Sequence, residues 1–347
     1  MKTISHFLLS VFFITTISCQ KEKDIIAVQP AADSVLPEQE CGDRAATVTP
    51  RFDNIAFCFT PPACSFPNYF TWNEFNALNW HSSNGHFIAM HKDNYRNDIH
   101  AQENKLAGWI DDLNDGSSYM SAVQKADDIE SQILHQFTNT GDHVKTKWII
   151  LNELSRSLWI SNSNNYRTWL VNVVKRLKNT YNHEVIVCSP IEFAGNYPSQ
   201  QWQQLSLYGY IAIEGYLSGK AIKANDGGHG LNTPAGMAAA KSWCYQKYLG
   251  FKQSYNNQGV PFSKIYLIEH FAQTKENQMG DDGNIINYGR CGVSVANWKL
   301  AIKARGEASG NVGFAGFVSY AWHRNWMNAS ESDLVSFINA YKATSPF

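Results

Sequence analysis

From about residue 52 onward, short apolar runs alternate with amphipathic stretches. The runs are IAFCF (55–59), HFIAM (86–90), WIILNE (148–153), EVIVCSP (184–190), YIAIEGY (210–216), KIYLIEH (264–270) and VGFAGFVSYAW (312–322). They are continuous rather than alternating, which is the pattern of parallel strands covered on both faces. Between them lie helical patterns. In NNYRTWLVNVVKRLKNTY, Tyr166, Trp169, Leu170, Val173, Val174 and Leu177 recur three and four residues apart and make one apolar stripe. PAGMAAAKSWCYQKYLGF opens with Pro234 behind Thr233, a helix start with its N-cap. SVANWKLAIKAR and SDLVSFINAYK read the same way.

Strand–helix alternation at this pitch predicts βα units and a parallel sheet. A doubly wound sheet and a (β/α)8 barrel both accommodate the runs. No Gly-rich phosphate loop follows the first run, and GGHG (227–230) follows no strand. The pattern therefore favours a single (β/α)8 TIM-type barrel over residues 52–347, a length usual for that fold. One strand is then hidden, and 94–146, which shows only helical patterns, is where it should lie.

The segment before the barrel is of another kind. Lys2 precedes a short apolar stretch, FLLSVFFITTI, and Ser18-Cys19-Gln20 closes it. The stretch is too short to span a membrane comfortably, and a small residue followed by Cys resembles a bacterial lipobox, with Thr16 where that motif usually has Leu. The expectation is a lipoprotein signal over 1–19, lipidation at Cys19, and a polar tether over 20–51. The resulting protein is exported to the cell envelope and touches the membrane only through its lipid. The other reading is ordinary secretion with cleavage. Six cysteines remain after Cys19, an even number that permits disulfides outside the cytosol. Cys58 and Cys64, around a Pro-Pro turn, are the easiest local pair, and Cys188 reads as a buried thiol.

Composition narrows the function. The net charge is −1 without a basic stripe, which argues against nucleic acid as a partner. Aromatic residues reach 13%, with 11 Trp and 16 Tyr, enough to build flat apolar faces for a sugar as well as a Trp-rich core. No cysteine–histidine cluster has zinc spacing, GDDGN (280–284) reads as a turn, and no cofactor is expected. A monomer is expected.

The chemistry lies where the runs end. Glu153, Glu192, Glu214 and Glu269 each end or follow a run, and Trp322 ends another. Parallel barrel strands bring their C-terminal ends to one face, and a carboxylate there is costly unless paired. Two carboxylates flanking a scissile bond are what glycoside hydrolysis requires: one protonates the leaving oxygen, the other attacks or activates water. Asn152-Glu153 after WIIL, Glu269 in IYLIEH and Trp322 in SYAW together resemble the clan A retaining glycoside hydrolases. That resemblance implies Glu153 as acid/base, Asn152 on a sugar 2-hydroxyl, Glu269 as nucleophile and Trp322 as the floor of the sugar site. It also places Asn-Glu on the fourth strand, whereas only two clear runs precede it.

Alternatives remain at this stage. Glu214, in AIEGY, is a rival nucleophile. Glu192 is either a solvated loop carboxylate or a group that binds a sugar hydroxyl or cation. Tyr216 and Tyr320 are candidate sugar-stacking residues, as are Trp159 and Trp326, though each alone is more often packing. His81, His91 and His270 read as scaffold. An exported glycosidase acting on a poly- or oligosaccharide is one function. A non-catalytic surface glycan-binding lipoprotein is the other, and only the first has a use for a carboxylate pair. No G-x-S-x-G or H-E-x-x-H motif points to an esterase or peptidase.

Overall fold

The structure is a computed structural model and describes residues 55–59, 86–91, 106–111, 113, 119–138, 147–161, 164–270 and 291–320. The expected α/β architecture is present. Strands β1 (Ile55–Phe59), β2 (His86–His91), β3 (Leu106–Ile110), β4 (Trp148–Leu151), β5 (Glu184–Ser189), β6 (Tyr210–Glu214), β7 (Ile265–His270) and β8 (Gly316–Tyr320) are all parallel. Each pairs with its neighbour in the chain, and β1 also pairs with β8, so the sheet curls back on itself. The hidden strand is β3, inside 94–146 as expected.

Helices fill every crossover from β3 onward. They are α1 (Ala122–Thr138), α2 (Arg156–Ile160), α3 (Asn164–Asn179), α4 (Gln200–Tyr208), α5 (Gly219–Ala224), α6 (Pro234–Asn256) and α7 (Val295–Val312). The six-residue stripe of α3 is buried, and each fully buried side chain of this size stabilises the fold by about 1.5–3 kcal/mol. Thr233 caps α6 by accepting from the Gly236 amide at 3.1 Å, with Pro234 at the first helical turn. Ser294 caps α7 in the same way, accepting from Asn297 at 3.2 Å. Gly313 ends α7 at φ +68°, which a Cβ would make costly. The run at 312–322 thus begins early: its first residue, Val312, is still helix, and strand begins at Gly316. Lys252 of α6 donates to the carbonyls of Val312 and Gly313 at 3.0 and 2.5 Å, a cation set on a helix C-terminus.

The continuous apolar runs follow from burial on both faces. One face of the sheet, with Trp109, Trp148, Ile150, Ile186, Cys188, Ala212 and Ile268, packs into an inner cluster. The other face, with Ile149, Leu151, Val187, Ile213 and Leu267, packs under the helices. Successive residues of a strand therefore go to different cores. At Gly108 of β3 an added Cβ would stand 2.9 Å from Ile133, so α1 lies directly on that strand. Among the described cysteines, Cys188, Cys244 and Cys291 are buried and none is bridged to another of the three. Cys188 is the buried thiol expected. Cys19, Cys41 and Cys64 lie outside the described residues, as does the side chain of Cys58, and with them the proposed lipid site.

Candidate active site

Because the strands are parallel, Asp111, Asn152, Glu153 and Glu214 come to one end of the sheet. Asn152 extends the ladder one residue past β4, its main-chain N–H donating to Ile110 at 2.7 Å. Its side-chain amide donates to Asp111 Oδ1 at 2.8 Å. The next ladder bond goes the other way: Leu154 N–H donates to Cys188 of β5 at 2.9 Å. Glu153 lies between these opposed bonds and takes φ +39°. The left-handed region is uncommon for a non-glycine residue and costs about 1–3 kcal/mol, which persists only where the surroundings over-determine it. The two ladder bonds do that here, with a third from Ser155 N–H to the Tyr166 hydroxyl at 2.7 Å. Beside it opens a cavity of about 760 Å³ lined by Glu153, Ser155, Arg156, Ser157 and Pro190, among others.

Glu214 closes β6 on the inward face. It pairs in register with Ile268, a member of the inner cluster. Glu153 is the more exposed of the two and Glu214 the more enclosed. Burial holds the Glu214 carboxyl well above its ordinary range, and the charges of Glu153 and then Glu192 push it further. Glu153 is raised too, by burial first and by Asp111 second. Glu192 is raised by burial, against the pull of Lys247 and Arg156. The Cys188 thiol, beneath these groups, is pushed far up by burial and then by Glu214 and Glu153, so it stays neutral and inert. The arrangement groups two carboxyls at one strand end, and the ionised form of each is disfavoured.

Glu269 is not part of it. It pairs with Ser319 of β8 one step beyond the Glu214–Ile268 level, and so lies on the opposite face of the sheet. There it is 2% exposed, between β7 and the helices. The Tyr248 hydroxyl of α6 donates to one of its oxygens, and Arg305 of α7 stands 3.2 Å from the other. The Arg305 contact is one of charge rather than of well-aligned hydrogen bonding. Burial raises the Glu269 carboxyl, and Arg305 and Tyr248 oppose the rise. Glu269, expected as the nucleophile, thus stands in an ion pair in the helix layer, on the opposite face of the sheet from Glu214.

The remaining expectations divide. Asn152, Glu153 and Glu214 are brought together, with Glu192 within electrostatic reach. Tyr216 is half-buried and packs on the inner cluster. Trp159 is fully buried against Trp202, ring centroids 4.1 Å apart, and is packing. The side chains of His91, His270 and Tyr320 lie outside the described residues, and so do His81, Trp322, Trp326 and 280–284. Sequence reasoning missed Asp111, although a carboxylate straight after LAGWI was the available signal. Among the described residues, no three or more His, Cys, Asp and Glu side chains are grouped to hold a metal ion.

No protein-family model matches the chain, and no curated protein matches it. Solved structures similar to it include glycoside hydrolases. One is catalytic domain 2 of a Group II chitinase from Ostrinia furnacalis, with 11% identity over 84% of this chain and 97% of that one, at a TM-score of 0.47. Another is a xyloglucan-specific β-1,4-glucanase from a ruminal metagenomic library, with 10% identity over 80% and 88%, at 0.43. A xylose isomerase domain containing protein from Salmonella typhimurium is equally similar, with 11% identity over 84% and 96%, at 0.46. Likeness at this level carries no argument about activity, which rests on the site's own chemistry.

Proposed function

We propose that this protein is a glycoside hydrolase acting on a poly- or oligosaccharide, built on a (β/α)8 TIM-type barrel. The observation that carries the reading is the meeting of Glu153 and Glu214, from β4 and β6, at one strand end, where the charge of Glu153 disfavours the ionised form of Glu214 and that of Asp111 disfavours the ionised form of Glu153. Such a pair separates into one carboxyl that keeps its proton and one carboxylate that does not, the acid and base that glycosidic cleavage needs. Glu214, the more enclosed, keeps the proton and donates it to the leaving oxygen. Glu153, open to the cavity, is the carboxylate that attacks the anomeric carbon. These roles differ from those the clan A resemblance implies, because its seventh-strand glutamate is turned into the helix layer here.

The clan A resemblance of Asn152-Glu153 supports retention of configuration, which takes a carboxyl separation of about 5–5.5 Å against about 6.5–9.5 Å for inversion. The lipobox-like Ser18-Cys19 supports export and anchoring through Cys19, with the barrel on the non-cytoplasmic side. Mass spectrometry of the mature N-terminus tests the anchor, and an unacylated start elsewhere rejects it.

Digestion of a polysaccharide panel by the purified domain tests the activity. Release of oligosaccharides by the wild type but by neither Glu153→Gln nor Glu214→Gln is the expected result. Binding to a glycan without turnover overturns the hydrolase reading in favour of a glycan-binding protein. Proton NMR of the first-formed anomer decides retention against inversion.

A further inference from the structure

Asp111 follows β3 at the mouth of the site, and neither the carboxylate pair nor the resemblance assigns it a role. Its Oδ1 receives two N–H bonds of 2.8 Å, one from the indole of Trp109 and one from the side-chain amide of Asn152. Trp109 is 3% exposed and part of the inner cluster, so the lower bond ties Asp111 to a packed floor. Resting on the reading of Glu153 and Glu214 as the reacting pair, we propose that Asp111 is the positioning residue of this site. It turns the Asn152 carbonyl toward the ligand and keeps a negative charge beside Glu153.

The orientation follows from donor and acceptor chemistry. An ionised carboxylate only accepts, so the nitrogen of the Asn152 amide, not its oxygen, must face Asp111. The main-chain N–H of Asn152 is already committed to Ile110. Its side-chain oxygen takes no bond from a described residue and is left to accept. It is therefore matched to a ligand group with a hydrogen to donate, such as a sugar hydroxyl or the N–H of an acylamino sugar, and not to an ether or ester oxygen. The charge of Asp111 acts on the same site. Among the described residues, the groups facing Glu153 are Asp111 from β3, Cys188 from β5 and Glu214 from β6. Glu192 faces Glu214, and Arg156 and Lys247 face Glu192. Glu153 thus meets acids and a neutral thiol, and loss of Asp111 lets it ionise at lower pH.

Two substitutions separate the two roles. Asp111→Asn keeps a carbonyl acceptor and removes the charge, and Asp111→Ala removes both. The mature domain is labelled with carboxyl-13C glutamate and 15N, and Glu153 is titrated by NMR with Glu153→Gln as its assignment control. Both substitutions should lower the Glu153 midpoint by about 0.5–1 pH unit. Only Asp111→Ala should move and broaden the Asn152 side-chain amide signals. On a cleaved glycan, Asp111→Asn should shift the acidic limb of kcat/KM to lower pH with KM little changed. Asp111→Ala should raise KM about tenfold, the loss of one well-placed hydrogen bond. An unmoved Glu153 midpoint together with unmoved Asn152 signals in a folded Asp111→Ala variant overturns the proposal. If Asp111→Ala does not fold, an unmoved Glu153 midpoint in Asp111→Asn overturns it alone. If no glycan is cleaved by any form of the protein, the hydrolase reading fails while the NMR result still decides the role of Asp111.

Discussion

Glu214 and Glu269 end almost the same sentence in the sequence, YIAIE and IYLIE, on adjacent parallel strands. One stands at the mouth of the inner face among other acids, where its ionised form is opposed. The other stands under the helices, with an arginine and a tyrosine arranged to hold it. A single residue of offset produces the difference, since neighbouring positions of a pleated strand face opposite ways. Type and distance from a strand end do not make a carboxylate catalytic. On the proposed reading the face does, together with the company that face supplies.

The largest test of this contrast is kinetic. Glu214→Gln should lower kcat on a natural glycan by about 10²–10⁴-fold, with a much smaller loss on aryl glycosides that need no protonation. Glu269→Gln, measured beside it, should leave kcat within about threefold, because it touches no reacting atom. The reverse ranking would return the nucleophile to β7 and break the comparison.

The next effect is on stability and runs the opposite way. Glu269→Gln removes the negative charge set 3.2 Å from buried Arg305 and should cost about 3–5 kcal/mol by denaturant titration. Replacing both partners with apolar residues of similar size should recover most of that loss. Gly215→Ala sharpens the geometry between the two glutamates. A Cβ at Gly215 would stand 2.6 Å from Leu267, so this change should cost about 1–3 kcal/mol through overpacking.

The smallest effect is a matter of sign. The raised Glu214 carboxyl binds its proton more tightly folded than unfolded. The native chain therefore holds the extra proton from about pH 4.3 up to the raised value. Stability contributed by the protonated form is present below that window and is lost as pH rises through it. Glu214→Gln removes the loss. Its Tm should match wild type near pH 4 and exceed it by about 2–4 °C near pH 8, read by differential scanning calorimetry.

The places of the strands could be read from the chain because burial on both faces leaves uninterrupted apolar runs. The same uniformity hid which residues face inward: no polar alternation marks one side of IYLIEH from the other. β3 escaped notice for a different reason. Gly108 is small so that α1 can lie close, Ala107 is small on the inner face, and a strand with so little bulk at its centre reads as no strand. With β3 unseen, Asp111 had no strand end to belong to. Asn152-Glu153 was legible because a polar pair interrupts a buried run. What could not be read was the turn between them, which depends on Asn152 bonding to one neighbouring strand and Leu154 to the other.

That turn at Glu153 has a consequence for descent. A glutamate held at φ +39° is a worse fit to its backbone than glycine or asparagine would be. A lineage released from the need to cut its ligand would gain stability by exchanging it, and drift should carry it there. On the proposed reading position 153 should then record selection: a relative that keeps an acid in this uncomfortable place should keep the chemistry, and one with Gly or Asn there should have lost it.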